Sequence, residues 1–353
     1  RGCWAGVGRA ARRWRGAAAP TRAAPAARLP AATAAAADAT ACGYGGYGGC
    51  GCLRLRGLGG YADRAVLGGL GGLGRGGRQD GGMVGWGGLR GYLVEARLAG
   101  VVGTSREESL RSYRLFAARD PRVLIGIDPQ GVWGQRELIG LMAAKCGVSA
   151  DPSHTSGHDV IDPERTLLAL DAFAERLAVA ARRRGPVLFG TGHPHRLLGF
   201  YAALADAMSA AGCPVLTPAQ GRCVDITTRF GLRTHVLDYV RGVALVRAPG
   251  VPGSGCEPGA HTHSPLPVRL ALAALAEVGG PFPELVVGDH GWVCGAGQLG
   301  FEAIGLADTD DPALFVGEAE GSVSVAVPLD DAVRSDYYRP LTRYVLNRAC
   351  LSQ

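Results

Sequence analysis

From Val187 to the C-terminus, short apolar runs alternate with helical patterns, and that alternation leaves few folds open. Val187–Gly190, Val243–Arg247 and Leu285–Gly288 are runs of strand length that are apolar almost throughout. A run apolar at every position, not every second one, suits a strand covered on both faces. Helices are expected over Leu197–Ala211 and Pro265–Glu277, the second with Ser264 as N-cap and Pro265 in its first turn. Pro214–Thr217, Cys223–Ile226, Ile304–Ala307, Leu314–Val316 and Val323–Val327 are further strand candidates, and Asp330–Arg348 reads as a helical tail. Strands alternating with helices predict an α/β fold, a three-layer sandwich around a mostly parallel sheet. Ligand sites in such sheets lie just beyond the carboxyl ends of the strands.

Upstream of Val187 the patterns are mainly helical. Leu89–Gly100 has apolar residues at helical spacing, and Ser105 with Glu108 fits a capping box opening a helix that Asp120-Pro121 stops. Val123–Ile127 reads as a strand-like run or a packed loop, and Arg136–Lys145 as a helix closed by Gly147. Asp151–Asp162 is a polar loop, and Asp162-Pro163 opens an amphipathic helix to about Arg184. The expected organisation is a helical part over residues 83–184 and an α/β catalytic or ligand-binding part over residues 185–353.

Residues 1–82 fit neither part. They carry 12 Arg, 3 Asp and no Glu or Lys, a balance of +9, which leaves the remainder of the +6 chain at −3. Ala-, Arg- and Pro-rich sequence passes into Gly-rich sequence with little periodicity, where ordering is costly. The segment reads as disordered, or as translated upstream sequence with the native start near Met83. A basic tail touching nucleic acid and a targeting peptide are the competing readings. Cys146, Cys213, Cys223, Cys256, Cys294 and Cys350 are widely spaced with no Cys-x-x-Cys pair, which favours reduced thiols and a cytoplasmic protein. No run approaches the roughly 18 apolar residues of a membrane span.

All eight histidines lie after residue 150, which places the chemistry in the later part of the chain. Three turns carry it. Gly190-Thr191-Gly192-His193-Pro194-His195-Arg196 follows a strand and opens a helix. Its glycines and helix N-terminus suit an anion, and His193 and His195 can present imidazoles to a metal. His261-Thr262-His263-Ser264 repeats the His-x-His spacing at another helix start and is read mainly as an anion site, with metal binding the lesser alternative. Gly288-Asp289-His290-Gly291, with Gly295 and Gly297, ends a strand. Asp289 is a candidate base or metal ligand, His290 a candidate catalytic partner, and the glycines a candidate anion nest. The Asp-rich turn Asp308-Thr309-Asp310-Asp311-Pro312 adds oxygen donors, Asp308 and Asp310 foremost, with a plain turn before proline as the alternative.

The catalytic candidates are therefore Asp289, His290 and His193. The substrate-binding candidates are Gly190, Thr191, Gly192, His195, Arg196, His261, His263, Ser264, Gly295 and Gly297. The metal candidates are Asp289, His193, His195, Asp308 and Asp310, for Mg, Mn or Zn. No Walker loop, aspartyl-nucleophile, Cys-x5-Arg, phosphohistidine or Gly-x-Ser-x-Gly motif is present, so the familiar covalent schemes are not indicated.

The stretches GTGHPHRLLGFYAALA, AHTHSPLPVR, ELVVGDHGWVCGAGQLG, DTDDPALFVGEAEG and VPLDDAVRSDYYRPLTRYVL resemble an actinobacterial family labelled phosphatase, from about residue 89 to the C-terminus. More loosely, Gly288-Asp289-His290-Gly291 resembles the Gly-Asp-Gly-Gly stretch of the C-terminal domain of D-glutamate cyclases. The first resemblance, with the clustered histidines and aspartates, implies metal-assisted hydrolysis of a small phosphomonoester. The second implies a cofactor-free lyase or cyclase acting on a small carboxylic acid, and a non-catalytic metabolite-binding protein is a third reading. The expected partner is a small anionic metabolite, with no membrane, and with nucleic acid only if residues 1–82 belong to the protein.

Overall fold

The computed structural model describes residues 86–228, 231–250 and 259–352; the segment 1–82 lies outside the described residues. Helix α1 (Trp86–Glu95) leads into strand β1 (Gly100–Ser105). Helix α2 (Arg106–Ala117) starts at the expected capping box, Ser105 accepting from the Glu108 amide while the Glu108 carboxylate accepts from the Ser105 amide. Helices α3 (Pro121–Leu124) and α4 (Gln135–Cys146) follow, so Val123–Leu124 is helical, and Gly147 closes α4 in the left-handed conformation. The polar loop after it ends in a strand, β2 (His158–Ile161), paired antiparallel with β1 in a separate two-stranded sheet. Helix α5 (Pro163–Arg183) is capped by Asp162, as its Asp-Pro start requires.

The rest builds the main sheet. In chain order come β3 (Val187–Gly190), α6 (Pro194–Ala210), β4 (Cys223–Thr228), β5 (Gly231–Val240), β6 (Val243–Arg247), α7 (Leu266–Val278), β7 (Leu285–Asp289), α8 (His290–Gln298), β8 (Ala303–Ala307), α9 (Pro312–Ala319), β9 (Val325–Pro328) and α10 (Arg339–Arg348). The seven strands lie in the order β4-β5-β6-β3-β7-β8-β9. Strands β6, β3, β7, β8 and β9 are parallel; the β4–β5 hairpin extends one edge antiparallel.

Three expectations are corrected. Leu314–Val316 lies in helix α9, where Pro312 occupies the first turn and Pro312–Gly317 are all buried and apolar, so that they imitate a strand run. Pro214–Thr217 is no sheet strand; Val215 makes a single bridge to Val187. The helical tail begins only at the 3₁₀ turn Ser335–Tyr338 that precedes α10, because the Asp330 carboxylate accepts from the Gly103 and Ala332 amides and holds 330–334 in a turn.

Strand pleating sorts the side chains into two cores. Val187, Phe189, Leu285, Val287, Ile304 and Leu306 face α5, α6 and α10, while Leu188, Val286, Ala303 and Ala307 face α7, α8 and α9. The result is a three-layer α/β sandwich. Cys146, Cys213 and Cys294 are buried free thiols, and Cys223 and Cys350 are exposed free ones. Among the described residues no helix is long and apolar enough to cross a membrane.

Taken in chain order, the parallel strands are arranged second, first, third, fourth, fifth. The helices that follow β3 and β7 leave to opposite faces, which opens a crevice between these two strand ends. Helix α8 lies unusually close to the sheet because β3, β7 and β8 present glycines to it. A Cβ on Gly190 would sit 2.2 Å from the Trp292 ring, and one on Gly305 would sit 2.3 Å from the Gly288 carbonyl oxygen. Gly305→Ala meets backbone that cannot swing aside. It is expected to lower stability in urea denaturation by about 1–3 kcal/mol, the range of core overpacking; a midpoint equal to that of the parent would refute this account of the α8 packing.

Candidate active site

Each parallel strand delivers a polar turn to the same edge. After β3, Thr191 is fully buried and Gly192 passes so close to the loop behind it that a Cβ there would meet the Thr262 carbonyl oxygen at 2.1 Å. The Thr262 amide donates to the Gly192 carbonyl at 3.0 Å, so the loop after β6 lies along the turn after β3. This alignment sets His261 and His263 beside His193. The His193 ring stacks on that of His261 with centroids 4.0 Å apart, and the Nε2 atoms of His261 and His263 are 3.0 Å apart.

Strand β7 ends in Asp289, and helix α8 starts at once with His290. The expected glycine-rich turn is therefore helix. Gly295 and Gly297 are buried within α8, where their missing side chains admit Val268 and Pro265 from α7 and its start, and the Ser322 carbonyl. They form no anion nest. Asp289 is fully buried and accepts from the Thr191 hydroxyl at 2.6 Å and the Gly192 amide at 2.5 Å, with His290 Nδ1 3.3 Å from its Oδ1. Both oxygens are engaged and Oδ1 faces His290 Nδ1, while Asp289 itself stands outside both groups of mutually close donors described below. His290 has φ of +40°, a conformation that costs a non-glycine residue about 1–3 kcal/mol and is held by its surroundings.

The turns after β8 and β9 supply carboxylates. His290 Nε2 lies 2.9 Å from Asp311 Oδ2 and 3.3 Å from Asp331 Oδ2, and His193 Nδ1 lies 3.2 Å from that same Asp331 oxygen. Donor atoms of His193, His261, His263 and His290 all fall within 4.8 Å of one another, as do those of His290, Asp311 and Asp331. Burial and the neighbouring imidazoles push His263 down to about 4 and His261 to about 3, which leaves both neutral, the metal-binding form of imidazole. Burial alone would lower His290, but Asp311, Asp289 and Asp331 hold it well above its ordinary value. Burial would likewise raise Asp311 and Asp331, but His290 holds the first below the usual carboxylate range, and His193 with His290 does so for the second.

The remaining candidates fall outside this cluster. His195 is exposed on α6, lining a surface cavity of about 480 Å³ with Arg241, Asp336 and Arg339. Arg196 is exposed too, and its charge is felt at Asp330 and Tyr338. Asp308 accepts from the Thr104 hydroxyl and from the Thr309 amide, which fastens β1 to the sheet edge, and it lies outside both groups of mutually close donors. Asp310 borders the cluster, where burial, Asp311 and Asp331 push its carboxyl up to about 8. Ser264 accepts from the Leu266 amide but lies one residue before Pro265, which takes the N-cap position expected of Ser264, and Gly190 admits Trp292. Asp311 belongs to the Asp-rich turn already read as a source of oxygen donors. Asp331 enters the cluster without having been singled out, because it was read as part of a helix.

The fold and this convergence of imidazoles and carboxylates define an α/β protein with a polar site at its strand ends. The Phosphatase family matches residues 86–353, and the chain belongs to that family. It is 42% identical over 268 residues to a protein named Phosphatase SCO2771 from Streptomyces coelicolor, covering 74% of this chain and 95% of that one. The lyase, cyclase and non-catalytic readings gain nothing from these matches.

Removal of the Asp289 charge tests its orienting role. Asp289→Asn is expected to weaken divalent-metal binding by about 10–100-fold, the usual effect of losing a carboxylate behind a ligating histidine. Calorimetric titration of the folded variant reads it, and an unchanged affinity would remove Asp289 from the site.

Proposed function

We propose that the protein is a metal-assisted phosphatase that hydrolyses the phosphomonoester of a small metabolite. The observation that carries this reading is the meeting of His193, His261, His263, His290, Asp311 and Asp331 at the ends of β3, β6, β7, β8 and β9. The donor set fits a divalent ion. His193 Nδ1 and Asp331 Oδ2 are buried polar atoms with no hydrogen-bond partner, an expensive condition unless something else binds them. The contacts of 2.9–3.3 Å between ring nitrogens and carboxylate oxygens match the spacing of about 3.0–3.4 Å that donors adopt around an ion with bonds near 2.1 Å.

A divalent ion held there would withdraw charge from a phosphoryl oxygen and supply an activated water near neutral pH. The chain's own residues do the rest. His261 and His263 are neutral and present lone pairs, while Asp289 fixes the His290 ring through Nδ1 and leaves Nε2 turned toward Asp311 and Asp331. Thr191 and the Gly192 amide hold Asp289 in turn. The exposed edge of His261 leaves the cluster open on one side, where a phosphate ester can enter.

The test is turnover of p-nitrophenyl phosphate and a panel of metabolite phosphomonoesters, before and after chelation and with Mg²⁺, Mn²⁺ or Zn²⁺ restored. Chelation is expected to abolish turnover and a restored ion to return it. His263→Ala is expected to lower kcat/KM by at least about 100-fold, whereas His195→Ala, at an exposed site away from the cluster, is expected to stay within about threefold. Turnover that survives exhaustive chelation would remove the metal from the scheme.

A further inference from the structure

The donors fall into two groups of mutually close atoms that share only His290. We infer that the centre takes two divalent ions, one held by His193, His261 and His263 and the other by His290 and Asp311, with the Asp331 carboxylate bridging them. The inference rests on the metal-assisted reading above.

The division follows from the nitrogen atoms. His290 belongs to both groups of mutually close donors, yet its Nδ1 is turned to Asp289 and only Nε2 remains, 2.9 Å from Asp311 Oδ2 and 3.3 Å from Asp331 Oδ2. One nitrogen serves one ion, so His290 goes with the carboxylates. The other three imidazoles then form their own set. Within it the His261 and His263 Nε2 atoms approach to 3.0 Å, the separation of two donors on one small ion.

Asp331 stands between the sets. A single oxygen, Oδ2, lies 3.2 Å from His193 Nδ1 and 3.3 Å from His290 Nε2, nitrogens that belong to different ions. That oxygen is buried without a hydrogen bond, on a side chain only 5% exposed. A bridging carboxylate between ions about 3.5–4 Å apart satisfies it and also meets the spacing of two-metal phosphoryl-transfer sites. The first ion would have four protein donors and the second three, leaving open positions on the His290–Asp311 side for a phosphoryl oxygen.

Metal content tests this without reference to turnover. Full-length protein stripped by chelation and dialysed against Mn²⁺ is expected to hold about two ions per chain by elemental analysis, with an electron paramagnetic resonance spectrum broadened by coupling between them. Asp311→Ala and the double variant His261→Ala/His263→Ala, on opposite sides of the bridge, each leave one ion only two protein donors and are expected to reduce the content to about one ion and restore the signal of isolated Mn²⁺. His261 is exposed and His263 half-buried, so the double variant reports even if the buried Asp311→Ala fails to fold. One ion per chain in the parent, or two without coupling, overturns the two-ion centre and leaves the metal-assisted phosphatase standing. No bound ion overturns both.

Discussion

The Asp289 carboxylate ties together the two central strand ends on which the site depends. It ends β7, receives the Thr191 hydroxyl and Gly192 amide from the turn after β3, and faces His290 Nδ1 on the next helix. Parallel strands bond through their backbones, but nothing in that pairing fixes the turns beyond their ends. One buried acceptor shared by both turns does. The loop carrying His261 and His263 is fixed in its turn by the bond from the Thr262 amide to Gly192, so the imidazole cluster inherits its geometry from the same point. The glycines at 190, 288 and 305 allow this, because they bring α8, and with it His290, down onto the sheet.

Such an arrangement is not what stability alone would select. His290 sits at positive φ, and Asp308, Asp311, Asp330 and Asp331 are buried in adjoining turns. Burial of ionised groups without full pairing costs several kcal/mol each in general, and the Tyr201 hydroxyl that donates to the Gly288 carbonyl at 2.6 Å relieves only the backbone behind them. Local strain and crowded charge at one edge of an otherwise well-packed sheet are the mark of a binding or catalytic site. The two hydrophobic cores on either side of the sheet are what can sustain that cost.

The architecture was legible in the sequence because burial on both faces writes parallel strands as unbroken apolar runs. Val187–Gly190 and Val243–Arg247 match their observed strands residue for residue. The same rule misled at Leu314–Val316, where the buried stretch Pro312–Gly317 of a short helix writes the same kind of run. It also misled at Asp330, where the polar turn was absorbed into the helix that follows, hiding Asp331. Sequence pattern reports periodicity and burial. It does not report which carboxylate already has partners: the Thr191 hydroxyl and Gly192 amide on Asp289, and the Thr104 hydroxyl on Asp308, come from distant parts of the chain.

The two His-x-His pairs make the same point more sharply. They are identical as motifs, but His193-Pro194-His195 straddles a helix start whereas His261-Thr262-His263 lies in a non-helical run. Residues two apart in a helix point about 200° from one another, while in an extended chain they share a side. His193, at the N-cap, can therefore join the cluster only by sending His195 outward, and His261 and His263 can enter together, with ring centroids 4.8 Å apart. Proline at position 194 decides the first case by favouring the helix start, and the bond of the Ala260 amide to the Val246 carbonyl decides the second by keeping the chain along the strand edge. The chemistry of a His-x-His pair is thus set by the backbone conformation under it, which the residues just outside the motif dictate.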